Sequence, residues 1–427
     1  MRVALAGLLA LLGASGTGPE RVLAIVGVEA WVGVEEAWSP EPVLARVPNA
    51  TILIRGGVIV SVVTGGAVPE GAQVVDGHGM VATAALFEMG TSMGIASLGG
   101  DLDEIGDAGH LHSEETAHGD GMPPVARGFA RHETENMDPA AIHVKLARTG
   151  GIGLALVRGT GWAGLASLAP PKEGPGYARV LRDEVALSLP WAGGAAGRDQ
   201  WETWREDLLL LERAGDAYDQ GALRTLSMPP DDLRAVGRAL RGEVPAIVAV
   251  DDAHEILRVL DLADDWGMRV ILQGAAEGWV VAERVASSAV GVLLDSESNL
   301  PGSWDLLGAR LDNAALLAAA GVPVALSSFW THNARRLRHK AGVAWSHGLP
   351  EALAWAAVTE VPAALLGLER LGRLEPGWPA NIALWEGHPM DFSGRLRGLW
   401  IAGERVGLVT RQDILFERYR TLSPGSA

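Results

Sequence analysis

The chain has 427 residues, of which 48% are apolar and 20% charged, with no cysteine. Its 35 basic side chains stand against 52 acidic ones, a formal charge of −17. This excludes a globally disordered or collagen-like chain, disulfides, zinc–thiolate sites and cysteine nucleophiles. It also argues against nucleic acid or an anionic membrane surface as partner, because both demand a basic face.

At the start, Met1-Arg2 precedes an apolar run over residues 3–12 and the small residues Gly13-Ala14-Ser15-Gly16. One positive charge, a short apolar run and a small-residue stretch outline a secretory signal peptide over 1–20, so a periplasmic or secreted protein is expected. The run falls short of the ~20 residues that a spanning helix needs, and no later stretch is long enough without a charge, Pro or Gly cluster. Strands follow at 22–27, then at 51–55 and 58–62 around Gly56-Gly57, a hairpin signal. A second hairpin is expected from 73–76 and 80–82 around Gly77-His78-Gly79.

The middle of the chain changes rhythm. Apolar strand-type runs at 152–157, 246–250, 269–272, 290–294 and 322–326 alternate with helical patterns at 201–214, 230–242, 254–266, 278–287 and 313–320. All-apolar strands in a repeated strand–helix unit predict a parallel sheet covered on both faces, in a barrel or a doubly wound fold. No Gly-x-Gly-x-x-Gly follows the first strand, which disfavours a dinucleotide fold. Strand patterns return at 381–385 and 399–406, and 411–420 reads as a helix. Two β-rich ends around a βα core predict that both termini build one small β domain.

Four segments then resemble the amidohydrolase superfamily, especially its imidazolonepropionase-like and dihydroorotase-like metal-dependent hydrolases. The first holds Ile54-Arg55-Gly56-Gly57-Val58-Ile59 and Val75-Asp76-Gly77-His78-Gly79; the second is the approach to a strand at 240–245; the third is His332-Asn333-Ala334-Arg335-Arg336-Leu337 with Gly348-Leu349. The fourth and most specific runs from Ala352-Leu353 through Thr359, Pro362 and Gly367 to Leu371-Gly372-Arg373-Leu374-Glu375-Pro376-Gly377-Trp378-Pro379-Ala380-Asn381. The resemblance covers roughly 20–410. It implies an α/β fold, a distorted (β/α)8 TIM-type barrel over 86–370, and a small β-sandwich domain from 21–85 and 371–427.

Members of that family hydrolyse C–N bonds with one or two divalent metals at the C-terminal ends of the barrel strands. The resemblance places the expected ligands and general base at positions that here read otherwise. Gly90 and Ser92 stand where His-x-His ends the first strand, Gln273 where a His ends the sixth, and Phe329 where an Asp follows the eighth. Glycine has no donor, and Ser, Gln and Phe are poor zinc ligands. The fifth strand offers Asp251-Asp252 in place of a His.

The leading expectation is therefore an exported pseudoenzyme with no cofactor, acting as a non-catalytic subunit beside an active amidohydrolase relative, as a homo-oligomer, or as a small-molecule-binding barrel. Asp251, Glu277, Ser328, His332 and Asn333 are its ligand-binding candidates. The rival is a working hydrolase of cyclic-amide or imidazolone type, with a divalent metal such as zinc on a rebuilt site of His110, His112 and His118 with Asp251. Asp252 is also read as the cap of the helix begun near His254, Glu277 as a cap partner, and the 110–118 histidines as a solvated loop.

Overall fold

The computed structural model describes residues 22–35, 42–95, 128–138, 140–159, 161–169, 179–219, 226–301 and 306–420. The segments read as a signal peptide and as the 110–118 histidine cluster lie outside the described residues.

Strands β1 (Val22–Glu35), β2 (Val43–Arg55), β3 (Val58–Thr64), β4 (Gln73–Asp76) and β5 (Met80–Ala84) form one eight-stranded sheet with β14 (Ile382–Glu386), β15 (Arg395–Ile401) and β16 (Glu404–Arg405). The two termini meet where β14 pairs antiparallel with β5, Ala383 opposite Thr83. The Gly56-Gly57 hairpin forms as the pattern predicts, with Arg55 opposite Val58. The second expected hairpin does not form. β4 and β5 both run parallel to β1 at successive positions, so Gly77-His78-Gly79 steps along the sheet rather than folding back. Gly77 is pinned by its N–H to the Val26 carbonyl at 2.8 Å.

A second eight-stranded sheet makes a nearly closed barrel. It runs β6 (Leu86–Thr91), β7 (Ile152–Val157), β8 (Trp162–Ser167), β9 (Arg179–Leu189), β10 (Ala246–Val250), β11 (Val270–Gly274), β12 (Gly291–Leu294) and β13 (Val324–Leu326), in spatial order. Its lumen is filled by side chains such as Phe87, Met89, Leu154, Leu156, Ile247, Ile271 and Leu293. The alternate residues, such as Leu86, Ile152, Val248, Leu272 and Val292, face an outer core shared with the helices. That two-sided burial is why these strands read as continuous apolar runs.

The expectation of a wholly parallel barrel needs one correction. β8 pairs antiparallel with both β7 and β9, so three consecutive wall strands form a meander with no crossover helix among them. Parallel neighbours need a crossover of a dozen or more residues, whereas residues 158–161 are too few for anything but a hairpin.

The barrel closes between β6 and β13 without a shared ladder. Towards the floor, the strand N–H groups of Phe87 and Leu326 donate to the carbonyls of Val358 and Ala357, each at 2.9 Å. Residues 357–358 are thus wedged into the gap. Above them, a buried carboxylate takes over the closure. Among the described residues no helix is long and apolar enough to cross a membrane.

Candidate functional site at the barrel mouth

The mouth lies at the C-terminal ends of the parallel strands, where this architecture places its chemistry. Three buried groups dominate it. Glu88, in the middle of β6, is fully buried. Its carboxylate accepts the Gly90 N–H at 3.0 Å, the Ser328 N–H at 3.1 Å and the Ser327 hydroxyl. One side chain thereby ties β6 to the end of β13 across the seam, supplying acceptors where the ladder is missing.

Arg158 follows β7 and its side chain crosses the lumen to β11. There its Nη2 donates to Gln273 Oε1 at 2.6 Å. Its Nε and Nη1 are buried with no hydrogen-bond partner among the described residues. Loss of hydration pulls the guanidinium down to about 10, with the Glu88 charge opposing. At neutral pH it is still a cation, and its compensating charge is Glu88 rather than solvent.

The predicted positions fall as follows. Gly90 has no room for a side chain: a Cβ there would lie 2.2 Å from Ser327 Oγ and 2.7 Å from Phe329 Cδ1. Phe329 reaches that spot with φ +54, a left-handed conformation that costs a bulky residue about 1 kcal/mol or more. The Phe329 N–H is held by Ser327 Oγ at 3.1 Å. Ser92 Oγ lies 3.2 Å from Thr331 Oγ1, and Ser328 Oγ donates to the Trp330 carbonyl at 3.2 Å.

Asp251 and Gln273 face one small cavity with Asp295, Phe329 and Trp330. Asp251 Oδ1 accepts the Ala276 N–H at 3.1 Å, and a Cβ on Gly274 (φ +87) would come within 2.4 Å of that oxygen. Asp295 binds buried Lys340, which also lies 3.4 Å from Glu297. The cavity holds about 40 Å³, well below the ~300–1,000 Å³ usual for small-molecule sites.

Other candidates serve the backbone. Asp252 caps the helix Ala253–Trp266, accepting the N–H groups of His254 at 2.8 Å and Glu255 at 3.0 Å. Glu277 accepts the N–H groups of Ala253 and Gly308, each at 3.2 Å, and so stitches two loops together. His332 and Asn333 lie in the short 3-10 helix Thr331–Arg336; His332 is exposed, edge-on to Trp330 at 5.7 Å. Among the described residues, no group of three or more His, Asp or Glu stands close enough to hold a metal ion.

The sequence reading passed over Glu88 and Arg158. The available signal was charge: a lone Glu and a lone Arg sit in or beside strands that are otherwise apolar, and such residues are almost never buried unless paired.

No protein-family model matches the chain. A curated relative, "Amidohydrolase tasK" of Hapsidospora irregularis, is 22% identical over 453 residues, covering 91% of this chain and 41% of that protein. The chain therefore spans about two fifths of the length of the curated relative it matches. An amidohydrolase structure from Thermotoga maritima MSB8 matches with a TM-score of 0.71 at 17% identity, over 90% of this chain and 99% of that one. Atrazine chlorohydrolase TrzN from Arthrobacter aurescens TC1, solved in complex with zinc, matches at 0.51 and 15% identity, over 93% and 98%. With the barrel, the flanking sheet built from both ends and these neighbours together, the chain carries the fold of the amidohydrolase superfamily.

Proposed function

We propose that this amidohydrolase-fold protein is a non-hydrolytic one, a small-molecule-binding barrel or a non-catalytic subunit, whose mouth is held together by its own charges instead of a metal. The observation that carries this reading is the pair of buried groups, Arg158 linked to Gln273 across the lumen and Glu88 bound to the ends of β6 and β13. The side chains present do not fit a divalent ion there. The position of the first expected ligand is filled by Phe329 and the Ser327 hydroxyl. The amide oxygen of Gln273 is taken by a guanidinium, and a second cation beside it meets like-charge repulsion in a poorly screened interior. Of the carboxylates described at the mouth, Glu88 is committed to three donors, Asp251 accepts the Ala276 N–H and Asp295 binds Lys340. Export through residues 1–20 belongs to the same proposal and is checked by N-terminal sequencing of secreted material.

The alternative is a hydrolase with a rebuilt centre. It draws on the relative's name and on the zinc held by a structural neighbour. The histidines it needs, His110, His112 and His118, follow β6 in sequence. Elemental analysis of protein expressed with added zinc and manganese separates the two. Metal far below one ion per chain, and no turnover of hydantoins, dihydroorotate-like rings or dipeptides, is the expected result. A stoichiometric metal that disappears in His110→Ala/His112→Ala, together with turnover, overturns it in favour of the hydrolase.

A further inference from the structure

The floor of the barrel, opposite the mouth, carries a cavity of a different kind. The end of β1, the helix Glu360–Leu365 and the stretch 368–378 enclose a cleft of about 560 Å³, inside the ~300–1,000 Å³ range of small-molecule sites. Its position is fixed by packing at the N-terminal strand ends, where a Cβ on Gly291 would meet Leu365 and Pro323. The walls include Val361, Leu368, Leu371 and Trp378.

Charged side chains share the lining: Glu369 and Arg370 are exposed at its rim, and Glu360 and Arg373 lie deeper. The Glu360 side chain is 13% exposed. Its Oε1 accepts the Val34 N–H at 2.8 Å, and its Oε2 lies 3.4 Å from Arg373 Nε. That nitrogen is closer to Glu375, at 2.8 Å from Oε1. The Arg373 side chain packs against Gly33, where a Cβ would come within 2.4 Å of Nε, and that nitrogen, though near both carboxylates, makes no hydrogen bond among the described residues. A carboxylate offers about four acceptor positions, and here a single short bond occupies one of them. Burial pushes the carboxyl up to about 7, with the Val34 N–H and Arg373 opposing and Glu375 reinforcing the rise.

The rim is preformed. Arg370 and Gly372 take φ +60 and +89, and a Cβ on Gly372 would strike the Thr359 carbonyl at 2.4 Å. The Trp378 carbonyl is fixed by the Ile59 N–H at 2.9 Å.

We propose that this cleft binds a small apolar amine, its ammonium sharing the Glu360 carboxylate with Arg373, whose charge Glu375 offsets, and its hydrocarbon body against Val361, Leu368, Leu371 and Trp378. An organic acid is the poorer occupant of the space beside Glu360, because that carboxylate repels it; the acid control tests whether Arg370 and Arg373, also in the lining, reverse the preference. A neutral alcohol gains only an ordinary hydrogen bond, about half the strength of a charge-assisted one. The acidic chain, at −17, also draws cations towards its surface. The site is independent of what the mouth does.

The test is calorimetric titration of the full chain with 2-phenylethylamine, 2-phenylethanol and phenylacetate, in wild type, Glu360→Gln and Ala364→Trp. Glutamine keeps an acceptor for the Val34 N–H. Ala364 lines the cleft and is exposed, so an indole there fills the space without disturbing the core. The amine is expected to bind about ten-fold or more tightly than the alcohol, with the acid weakest. Glu360→Gln removes the amine's advantage and leaves alcohol binding unchanged, and Ala364→Trp abolishes both. Amine affinity rises from roughly pH 6 to roughly pH 8 as Glu360 ionises, in a field set by Arg370, Arg373, Glu369 and Glu375. No amine binding to wild type, equal binding of phenylacetate, or amine binding that survives both variants overturns the proposal.

Discussion

Glu88→Gln probes the closure of the barrel directly. The glutamine keeps the shape of the side chain but turns an NH2 group towards one of three donors: the N–H of Gly90, the N–H of Ser328 or the hydroxyl of Ser327. One buried donor left unsatisfied costs about 1–3 kcal/mol. The same change removes the negative charge that opposes Arg158; the two form no contact ion pair, so this loss is about 1–2 kcal/mol rather than that of a broken salt bridge. The two losses together are expected to total about 2–4 kcal/mol. Arg158→Met removes the cation together with its bond to Gln273, at about 2–3 kcal/mol. Each single variant strands a charge that the other would not. The double variant should therefore cost less than the sum by at least about 1 kcal/mol. Urea unfolding followed by tryptophan fluorescence and circular dichroism gives all four stabilities. Additivity within about 0.5 kcal/mol, or a Glu88→Gln cost below about 1 kcal/mol, would refute the idea that these two charges compensate each other.

Gly90→Ala is expected to cost about 1–3 kcal/mol by overpacking, because its Cβ would lie 2.2 Å from Ser327 Oγ; a thermal melt reads it, and Ser327→Ala in the same chain should recover part of the loss. Glu360 predicts a pH effect of definite sign. Its folded value near 7 stands above the ordinary 4.5, so between these the native state holds more protons than the unfolded one and stability falls as pH rises. The fall approaches roughly 3 kcal/mol across that window, and Glu360→Gln should flatten that part of the stability–pH curve; an unchanged slope would contradict it. Asp252→Ala should lower stability by about 1 kcal/mol through loss of the helix cap, read by the same denaturation.

Much of this architecture could be read from residue order because burial on both faces leaves a plain mark. Residues 246–250 were bounded as observed, and the helix after them starts at the cap that Asp252 announces. β8 was missed because Trp162-Ala163-Gly164-Leu165-Ala166-Ser167 has no β-branched residue and includes a glycine, so local preference says little. β9 was missed because Arg179, Arg182, Asp183 and Glu184 interrupt its apolar pattern, and Glu184 turns at φ +53. The ligand positions could be located by resemblance, but not what replaces them. The contact of Arg158 with Gln273 joins residues 115 apart in sequence, and that of Glu88 with Ser327 joins residues 239 apart. Neither pairing has a local signature, since only closure of the barrel brings the partners together.

The meander in the wall redistributes which loops belong to which end of the molecule. A parallel wall strand sends its exit loop to the top and its entry loop to the underside; a reversed strand swaps the two. β7 ends at Val157 and β8 begins at Trp162, both at the top, so Arg158 stands beside the mouth, while β8 ends at Ser167 and β9 begins at Arg179 on the underside. A segment inserted after β8 would therefore lengthen the underside and leave the contact of Arg158 with Gln273 untouched.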